Sequence, residues 1–438
     1  MNAEPSSRTY AWYFLVLAVG AYMLLSAQML LSLGIPYDAP FGPPVAKVHP
    51  GTYCLLLAWF LALISHGNPL AVLACQMQQH RLLATYFSCV VSVFIWVLLR
   101  HGVSGAAFII EAMWTPAIAA FVLYLLDPAR HRQIVKIVIL LLLANAVLAL
   151  GEVTFHARLT PLDQVHKDLV DEPYFRASAF LGHPLHNAMI TVSLLPAVVL
   201  MPWSLPRRLV VILLMFLSIL AFGGRASLVA GVAFYGALAA IYGMINVVRL
   251  RYNYLQLTGG ALALMFGLTA LIGIVASTGL GARIFENLQM DSSASVRLSV
   301  WGAFNYLSDT DRWIGVAPAQ IDHISLRLGL DPVYEAIENF WIYLFLQFGI
   351  VGFIPFVFGL GCLLAVLWKA ANPALRTALL VYFLVASSAN TLASKTVSLM
   401  LLTLVIVAGE AFRQPHAISD VRAGQADSSA APALGTAL

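Results

Sequence analysis

The sequence has few charged residues. Asp, Glu, Lys and Arg make up 10% of its 438 residues, whereas 61% are hydrophobic. Soluble globular chains are roughly a quarter charged, so this composition excludes a soluble protein and predicts one embedded in a membrane. The net charge of +4 gives no reason to expect nucleic acid as a partner.

Cysteine is also scarce, and the nucleotide-binding and zinc motifs are missing. The four cysteines lie in or beside apolar runs without paired spacing, which predicts small core residues rather than disulfides. There is no Cys-x-x-Cys pair and no Gly-x-x-x-x-Gly-Lys-Ser/Thr loop, so nothing indicates a zinc site or a nucleotide-driven motor. The two halves show no convincing repeat, which disfavours an inverted-repeat transporter.

Long apolar runs recur along almost the whole chain. Each is about as long as a helix needs to cross the hydrocarbon core. We predict an all-α membrane bundle, one domain over residues 1–413, followed by a disordered cytoplasmic tail at 414–438 that is poor in large apolar residues. About twelve spans are expected: 11–34, 51–65, 83–100, 105–126, 133–151, 187–202, 208–222, 226–247, 257–279, 339–368, 376–393 and 396–412.

Basic residues are concentrated in alternate connections between the spans. One set carries Arg81, Arg130, Arg132, Arg207, Arg208, Arg249, Arg251, Lys369 and Arg376; the other chiefly carries Lys47, Arg100, Arg225 and Lys395. The positive-inside rule therefore places both termini in the cytoplasm. The two long connections, 152–186 and 280–338, then face outward, and a functional site is expected there. Helical spacing of apolar residues over 295–307 predicts a short helix lying on the bundle.

Three arginines lie at the outer edges of spans: Arg176, Arg225 and Arg297. A cation at that depth is costly unless it holds an anion, so we predict a site for a lipid-linked phosphate. Gly223 and Gly224 permit a tight turn before Arg225, and the amides of the helix that follows favour an anion. Alternatively, Arg225 is an interfacial anchor whose charged end reaches water, and Arg297 is the water-facing residue of a loop helix.

Polar residues at the entry to the sixth span form a second candidate group. His183 and His186 are three residues apart, followed by Asn187. No third ligand is near, so we expect no metal and assign these side chains to hydrogen bonding with a sugar or phosphate, or to helix capping by Asn187.

Carboxylates supply the candidates for a general base. Glu338 and Asn339 precede a long span, where a carboxylate either stabilises the helix start or accepts a proton from a sugar hydroxyl. Glu335 and His323 are rivals by proximity in sequence. Glu111 lies inside an apolar run and is a functional candidate on that ground. Lys395 and Asn390, in the last outward link, are weaker candidates.

The order of these motifs over residues of about 170 to 365 resembles that of the O-antigen ligase and polymerase family of bacterial membrane glycosyltransferases. The segment 176–187 resembles that family's Arg followed by Gly-x-x-Pro-Asn, and the segment 224–227 resembles its Ser-Arg-Gly turn. Segments 297–301 and 314–317 are similar to its Arg-x-x-x-Trp and Gly-x-Gly, and 338–352 to its His-Asn, Leu and Gly-x-x-Gly stretch. The chain departs at Glu338, where ligases have histidine, and at Gly182-His183-Pro184-Leu185, which replaces the Pro-Asn pattern.

The resemblance implies inverting, metal-independent glycosyl transfer at the periplasmic face of the bacterial inner membrane, without a cofactor. The donor would be an undecaprenyl-diphosphate-linked oligosaccharide, with Arg225 and Arg297 holding the diphosphate and a base deprotonating the acceptor hydroxyl. The missing histidine favours a polymerase of exopolysaccharide or O-antigen repeats over a ligase acting on lipid A core. The alternative from another functional class is a transporter or flippase of lipid-linked sugars. It fits the same residues because it would also bind the diphosphate through arginines.

Overall fold

The computed structural model describes residues 7–39, 42–160, 175–249, 273, 299–330 and 337–412. Within these ranges the regular elements are helices and no strand occurs. Solidly apolar runs predict this, because a half-buried strand would alternate apolar and polar residues. Arg297, Glu335, the tail at 414–438 and, except for Gly273, the span expected at 257–279 lie outside the described residues.

Many of the helices are joined by short links, and several helices begin with proline. The α-helices are α1 (Ser7–Leu24), α2 (Ala27–Ser32), α3 (Pro50–Ile64), α4 (Pro69–Gln79), α5 (Arg81–Ile109), α6 (Thr115–Leu125), α7 (Pro128–Phe155), α8 (Pro184–Leu194), α9 (Leu205–Phe222), α10 (Arg225–Val248), α11 (Asp309–Ile314), α12 (Pro318–Arg327), α13 (Phe340–Ala370), α14 (Pro373–Ser387) and α15 (Ser398–Gly409). A π-helical turn, Ile110–Trp114, joins α5 to α6.

The helices identify a membrane protein. Six helical stretches in the described residues are long and apolar enough to cross a membrane, or seven if the bent pair α3 and α4 forms one span. Three shorter apolar stretches cover 184–200, 373–387 and 398–412. Large apolar side chains such as Val229, Val232 and Met244 are exposed on α10, which is a surface suited to lipid. The count of twelve spans stays a prediction.

Two apolar helices occupy the centre of the bundle. In an apolar 18-residue window of the stretch 105–125, 89% of the residues are buried, and every residue of α15 is buried. By contrast, 11% of the span window of α10 is buried, so this helix lies at the periphery. All four cysteines are free thiols. Cys362 is buried as expected, whereas Cys75 is exposed on α4 and is not a core residue.

The first predicted span, 11–34, is not one continuous helix. α1 ends at Leu24, and the Ser26 hydroxyl caps α2 by accepting a hydrogen bond from the backbone N–H of Met29 at 3.2 Å. Gly182 packs so closely against Ser26 and Gln28 that a Cβ at position 182 would overlap them. The break results from local capping together with a contact over 150 residues away, and the apolar length of the run contains no sign of that contact.

α5 and α13 are both broken by glycines with positive φ, Gly102 and Gly349. The backbone groups released by the breaks are satisfied between the two helices. The Trp96 indole donates to the carbonyl oxygen of Phe348 at 3.0 Å, and the Gln347 amide donates to the carbonyl oxygen of Gly105 at 2.8 Å. Such pairing is required because unpaired backbone groups in an apolar medium cost several kcal/mol each.

A smaller core covers the start of α13. Val300, Ala303 and Leu307 of the predicted loop helix are buried against residues of α12 and α13. The described part of that segment forms a 3-10 helix, Val300–Tyr306. The prediction of a short helix lying on the bundle is therefore confirmed for the residues described.

Candidate functional site

Arg176 and Arg225 are brought together at the turn between α9 and α10. The Arg176 guanidinium donates through Nε to the carbonyl oxygen of Phe222 at 3.2 Å, and the N–H of Ala177 donates to the carbonyl oxygen of Ala221 at 3.1 Å. Arg176 is buried, whereas Arg225 is half-buried two residues beyond Gly223. The geometry thus joins two of the three arginines predicted to hold a phosphate.

The two glycines of this turn have different roles. Gly223 adopts φ +65° and closes α9, donating its N–H towards the carbonyl oxygens of Ile219 and Leu220. A Cβ at Gly224 would overlap Ala188, so its absence lets α10 start directly against α8. The first turn of α10 has no side-chain cap. Its N–H groups therefore add to the positive potential around Arg225.

Two buried polar side chains hold the loop that carries Arg176. The Glu152 carboxylate accepts hydrogen bonds from the N–H groups of Leu159 at 2.9 Å, Ser178 at 2.8 Å and Ala179 at 3.0 Å. The Asn145 amide oxygen accepts from the N–H of Phe180 at 3.0 Å. Neither residue is among the candidates predicted from the sequence, although Asn145 is a polar residue within the apolar run 133–151 and Glu152 directly follows that run.

Asn187 also holds the loop that carries Arg176. It is fully buried, its amide nitrogen donates to the carbonyl oxygens of Ser178 at 2.7 Å and His183 at 3.0 Å, and its oxygen accepts from Asn145 at 2.8 Å. Both amide protons are therefore used within the protein. Asn187 positions the loop and does not line the cavity described next.

His183 and His186 line a cavity of about 150 Å³. Their ring centroids are 4.9 Å apart. In the described ranges no third histidine, cysteine or carboxylate joins them to form a group that could hold a metal. That these two histidines bind substrate remains a prediction, and the cavity is where such binding would occur.

The opposite walls of the cavity come from the link after α2 and the link before α15. Lys395 donates to the carbonyl oxygen of Tyr37 at 2.6 Å and lies 3.5 Å from an Asp38 carboxylate oxygen and 4.5 Å from the centroid of the Tyr37 ring. Burial lowers the pKa of Lys395, and the charge of Asp38 opposes this shift. In the topology predicted above, all these wall segments lie at the outward ends of helices.

Glu111 lies behind the cavity wall at the amino end of α3. It is fully buried in the π-helical turn, and its two oxygens accept from the N–H of His49 at 2.5 Å and the hydroxyl of Thr52 at 3.1 Å. The Tyr22 hydroxyl lies 2.6 Å from the Thr52 oxygen. Because the Thr52 proton points to Glu111, Tyr22 must donate to Thr52. Glu111 is therefore connected to Tyr22, a residue of the cavity wall.

Glu338 and Asn339 lie at the start of α13, as predicted. Asn339 caps the helix by accepting from the N–H groups of Trp341 at 3.0 Å and Ile342 at 3.2 Å. The N–H of Phe340 donates to the carbonyl oxygen of Ala389 at 3.0 Å, which ties this end of α13 to the link before α15. Glu338 is half-buried. His323, the rival base, is exposed on α12.

The described site thus has two parts joined by one loop. Residues 176–186 contact the Arg225 turn at one end and line the cavity at the other, while the link 389–397 contacts the start of α13 and then lines the same cavity. No family model matches the sequence, and no curated protein matches it significantly.

Proposed function

We propose that this protein is a bacterial inner-membrane glycosyltransferase that joins undecaprenyl-diphosphate-linked oligosaccharide repeats into exopolysaccharide or O-antigen at the periplasmic face. The observation that carries the proposal is the pairing of Arg176 with the Arg225 turn at the uncapped start of a 24-residue helix. Two guanidinium groups and helix amides in one place form a suitable binding site for a diphosphate.

The transfer requires charge stabilisation and one proton acceptor. The acceptor hydroxyl attacks the anomeric carbon of the donor sugar as the bond to the diphosphate breaks, so the configuration inverts and the diphosphate leaves with the bonding electrons. Arg176, Arg225 and Arg297 stabilise the charge that grows on the leaving group. Glu338 accepts the hydroxyl proton, and neither a metal nor a cofactor is required.

Two other functions fit parts of the same geometry. A ligase would carry out the same transfer with lipid A core as the acceptor, but Glu338 stands where ligases of the resembling family have histidine. A transporter of lipid-linked sugars is favoured by a different observation, the buried Glu111 and the broken helices α5 and α13. The polymerase accounts for the polar residues at the outward helix ends.

The proposal predicts that the arginines are required for polymer formation. Arg225→Ala and Arg297→Ala are each expected to slow chain growth by about a hundredfold or more, because each removes a charge from the leaving diphosphate. Wild type and variants would be reconstituted with undecaprenyl-diphosphate repeats and the products resolved by size. Arg249→Ala is the matched control, since Arg249 caps the opposite end of α10. Normal polymer length in both test variants would exclude a phosphate-binding role.

A separate variant tests the proposed base. Glu338→Gln keeps the size and polarity of the side chain and is expected to slow polymerisation by about 10²-fold to 10⁴-fold. Glu410→Gln, exposed at the other end of the bundle, is the control. If Glu338→Gln polymerises at the wild-type rate, another group accepts the proton. If wild type forms no polymer, adding lipid A core tests the ligase, and failure there would favour transport.

A further inference from the structure

The cavity contains polar groups that the fold does not use. Gln28 and Tyr37 both line it, and their residues are 4% and 3% exposed. Neither the Gln28 amide nor the Tyr37 hydroxyl forms a hydrogen bond with any residue in the part of the chain that the structure describes. Neither polar end is among the fully enclosed, unpaired side-chain atoms of the described residues, so both ends keep accessible surface, and the cavity that these residues line is where a bound molecule could reach them.

The cavity wall combines aromatic faces with a balanced pair of charges. The Tyr22 and His49 rings stack at 4.8 Å, and the Tyr37 ring meets His49 edge-on at 5.4 Å. Lys395 and Asp38 supply a donor and an acceptor 3.5 Å apart, with no net charge.

His49 adds no charge to this wall. Its Nδ1 accepts from the N–H of Gly51 at 3.0 Å, so the ring proton is on Nε2, which donates to the carbonyl oxygen of Leu25 at 2.8 Å. Burial lowers the pKa of His49 to about 4, which keeps the ring neutral at pH 7.

The position of the aromatic wall is set by buried contacts. The hydroxyl of Tyr22 is tied through Thr52 to Glu111, and the same carboxylate holds the backbone of His49. Two of the three rings are therefore held in place before any ligand enters, which reduces the entropy lost on binding.

Size limits the occupant further. About 150 Å³ is smaller than the ~300–1,000 Å³ of sites for drug-sized ligands, so an oligosaccharide does not fit inside. A neutral ring compound with several hydroxyls fits this wall better than a phosphate does. Its hydroxyls can donate to Asp38 and accept from Lys395, while the face of its ring packs on an aromatic side chain.

We propose that this cavity is a binding subsite for one neutral sugar residue of the lipid-linked glycan, recognised by Gln28, Tyr37 and the Asp38–Lys395 pair. The inference rests on the proposed function, because it assigns the substrate's sugar to a place separate from the diphosphate. The loop 176–186 connects this subsite to the arginine turn.

Binding of free sugars to the purified protein tests the inference. Saturation-transfer NMR would be recorded with glucose, galactose, mannose and N-acetylglucosamine, with glucuronate and inorganic phosphate as anionic probes, in a detergent without a sugar headgroup. We expect at least one neutral sugar to bind wild type. Tyr37→Phe and Gln28→Leu should each weaken it about three- to tenfold, the usual contribution of one hydrogen bond.

Matched controls separate binding from folding. Tyr53→Phe removes a hydroxyl that bonds to the carbonyl oxygen of Val45, and Gln79→Leu changes an exposed amide; neither residue lines the cavity. Both should bind sugar as wild type does. Tyr37→Phe and Gln28→Leu should keep the wild-type unfolding temperature, because no hydrogen bond within the described protein is lost.

Three results would overturn the subsite: no neutral sugar binds wild type, the cavity variants bind as tightly as the controls, or only phosphate and glucuronate bind. The polymerisation assay separates the two proposals. Polymer formation by a protein that binds no sugar would overturn the subsite alone. Sugar binding without polymer formation would overturn the polymerase and leave the cavity as a binding site for a neutral sugar.

Discussion

At the scale of single residues, the loop that carries Arg176 is held by polar side chains that form hydrogen bonds with its backbone. Glu152 accepts three backbone hydrogen bonds, and Asn187 uses both amide protons. These contacts hold the segment between Arg176 and His183. The position of the arginine relative to the cavity wall is therefore fixed. Removing such a side chain leaves several buried N–H groups without an acceptor.

Glu152→Ala is therefore expected to lower the free energy of unfolding by about 3 kcal/mol. Thermal unfolding in detergent would measure the effect as a drop in unfolding temperature. Thr154→Val is the control, because its exposed hydroxyl bonds only to the carbonyl oxygen of Leu150 within α7. Equal unfolding temperatures for the two variants would contradict the structural role of Glu152.

His49 predicts a dependence of stability on pH. Its pKa is lowered by burial from 6.5 to about 4 in the folded protein. Between these values the unfolded chain binds more protons than the folded one, so stability is full above pH 6.5 and falls as the pH drops towards 4, by up to about 3 kcal/mol. Unfolding temperatures from pH 7 to pH 4.5 would measure this. His49→Asn keeps a residue that can cap α3, but asparagine does not titrate, so the unfolding temperature of this variant should depend less on pH. An unchanged pH dependence would show that another group causes the effect.

At the scale of elements, the bundle is built from helices with breaks that tertiary contacts stabilise. α5, α13 and the predicted first span are each interrupted near the ends that are predicted to face outward, where they meet loops. Gly349 and Gly315 approach so closely that neither has room for a Cβ, and the N–H of Val316 donates to the carbonyl oxygen of Leu346 at 2.7 Å. The segment that contains Gly315 and Val316 is thereby docked onto the break in α13.

Gly349→Ala should destabilise the protein by about 2 kcal/mol or more, because φ is +60° and the new Cβ would overlap the backbone of Trp313 and Gly315. A Cβ added by Gly361→Ala on the same helix would have no neighbouring atom within 4 Å. This substitution should be neutral or stabilising by about 0.5–1 kcal/mol. Unfolding temperatures of the pair measure the difference, and a similar effect of both substitutions would contradict the docking argument.

At the scale of the whole molecule, the arginine turn, the cavity and the start of α13 form one continuous region. Its parts come from the ends of helices that are distant in sequence, and the links at 176–186 and 389–397 join them. In the topology predicted from the basic residues, this entire region is periplasmic. The orientation can be tested independently of any activity.

Labelling with a membrane-impermeant maleimide tests the orientation. Native Cys75 is exposed on α4, in the connection predicted to be cytoplasmic, and should react only after the cells are permeabilised. Val45→Cys introduces a thiol at a position 69% exposed in the link predicted to be periplasmic and should react in intact cells. The reverse pattern would invert the topology and place the proposed site in the cytoplasm.

Composition and local pattern were sufficient for the membrane class, the all-helical fold, the helix start at Asn339 and the tight turn at Gly223. Each of these depends on interactions within one short segment: transfer of apolar side chains from water, hydrogen bonds along one helix, or the backbone freedom of one glycine. The candidate site residues could also be predicted from the sequence, because a polar residue at the edge of an apolar run is unusual.

The break after Leu24, the support by Glu152 and Asn145, and the cavity were not predictable in this way. The cavity needs Tyr22, Gln28, His183 and Lys395 side by side, although they are separated by up to 373 positions in the chain. Their proximity follows from how the helices pack and where loops dock. That packing depends on shape complementarity between distant segments, which no local hydrophobic pattern encodes.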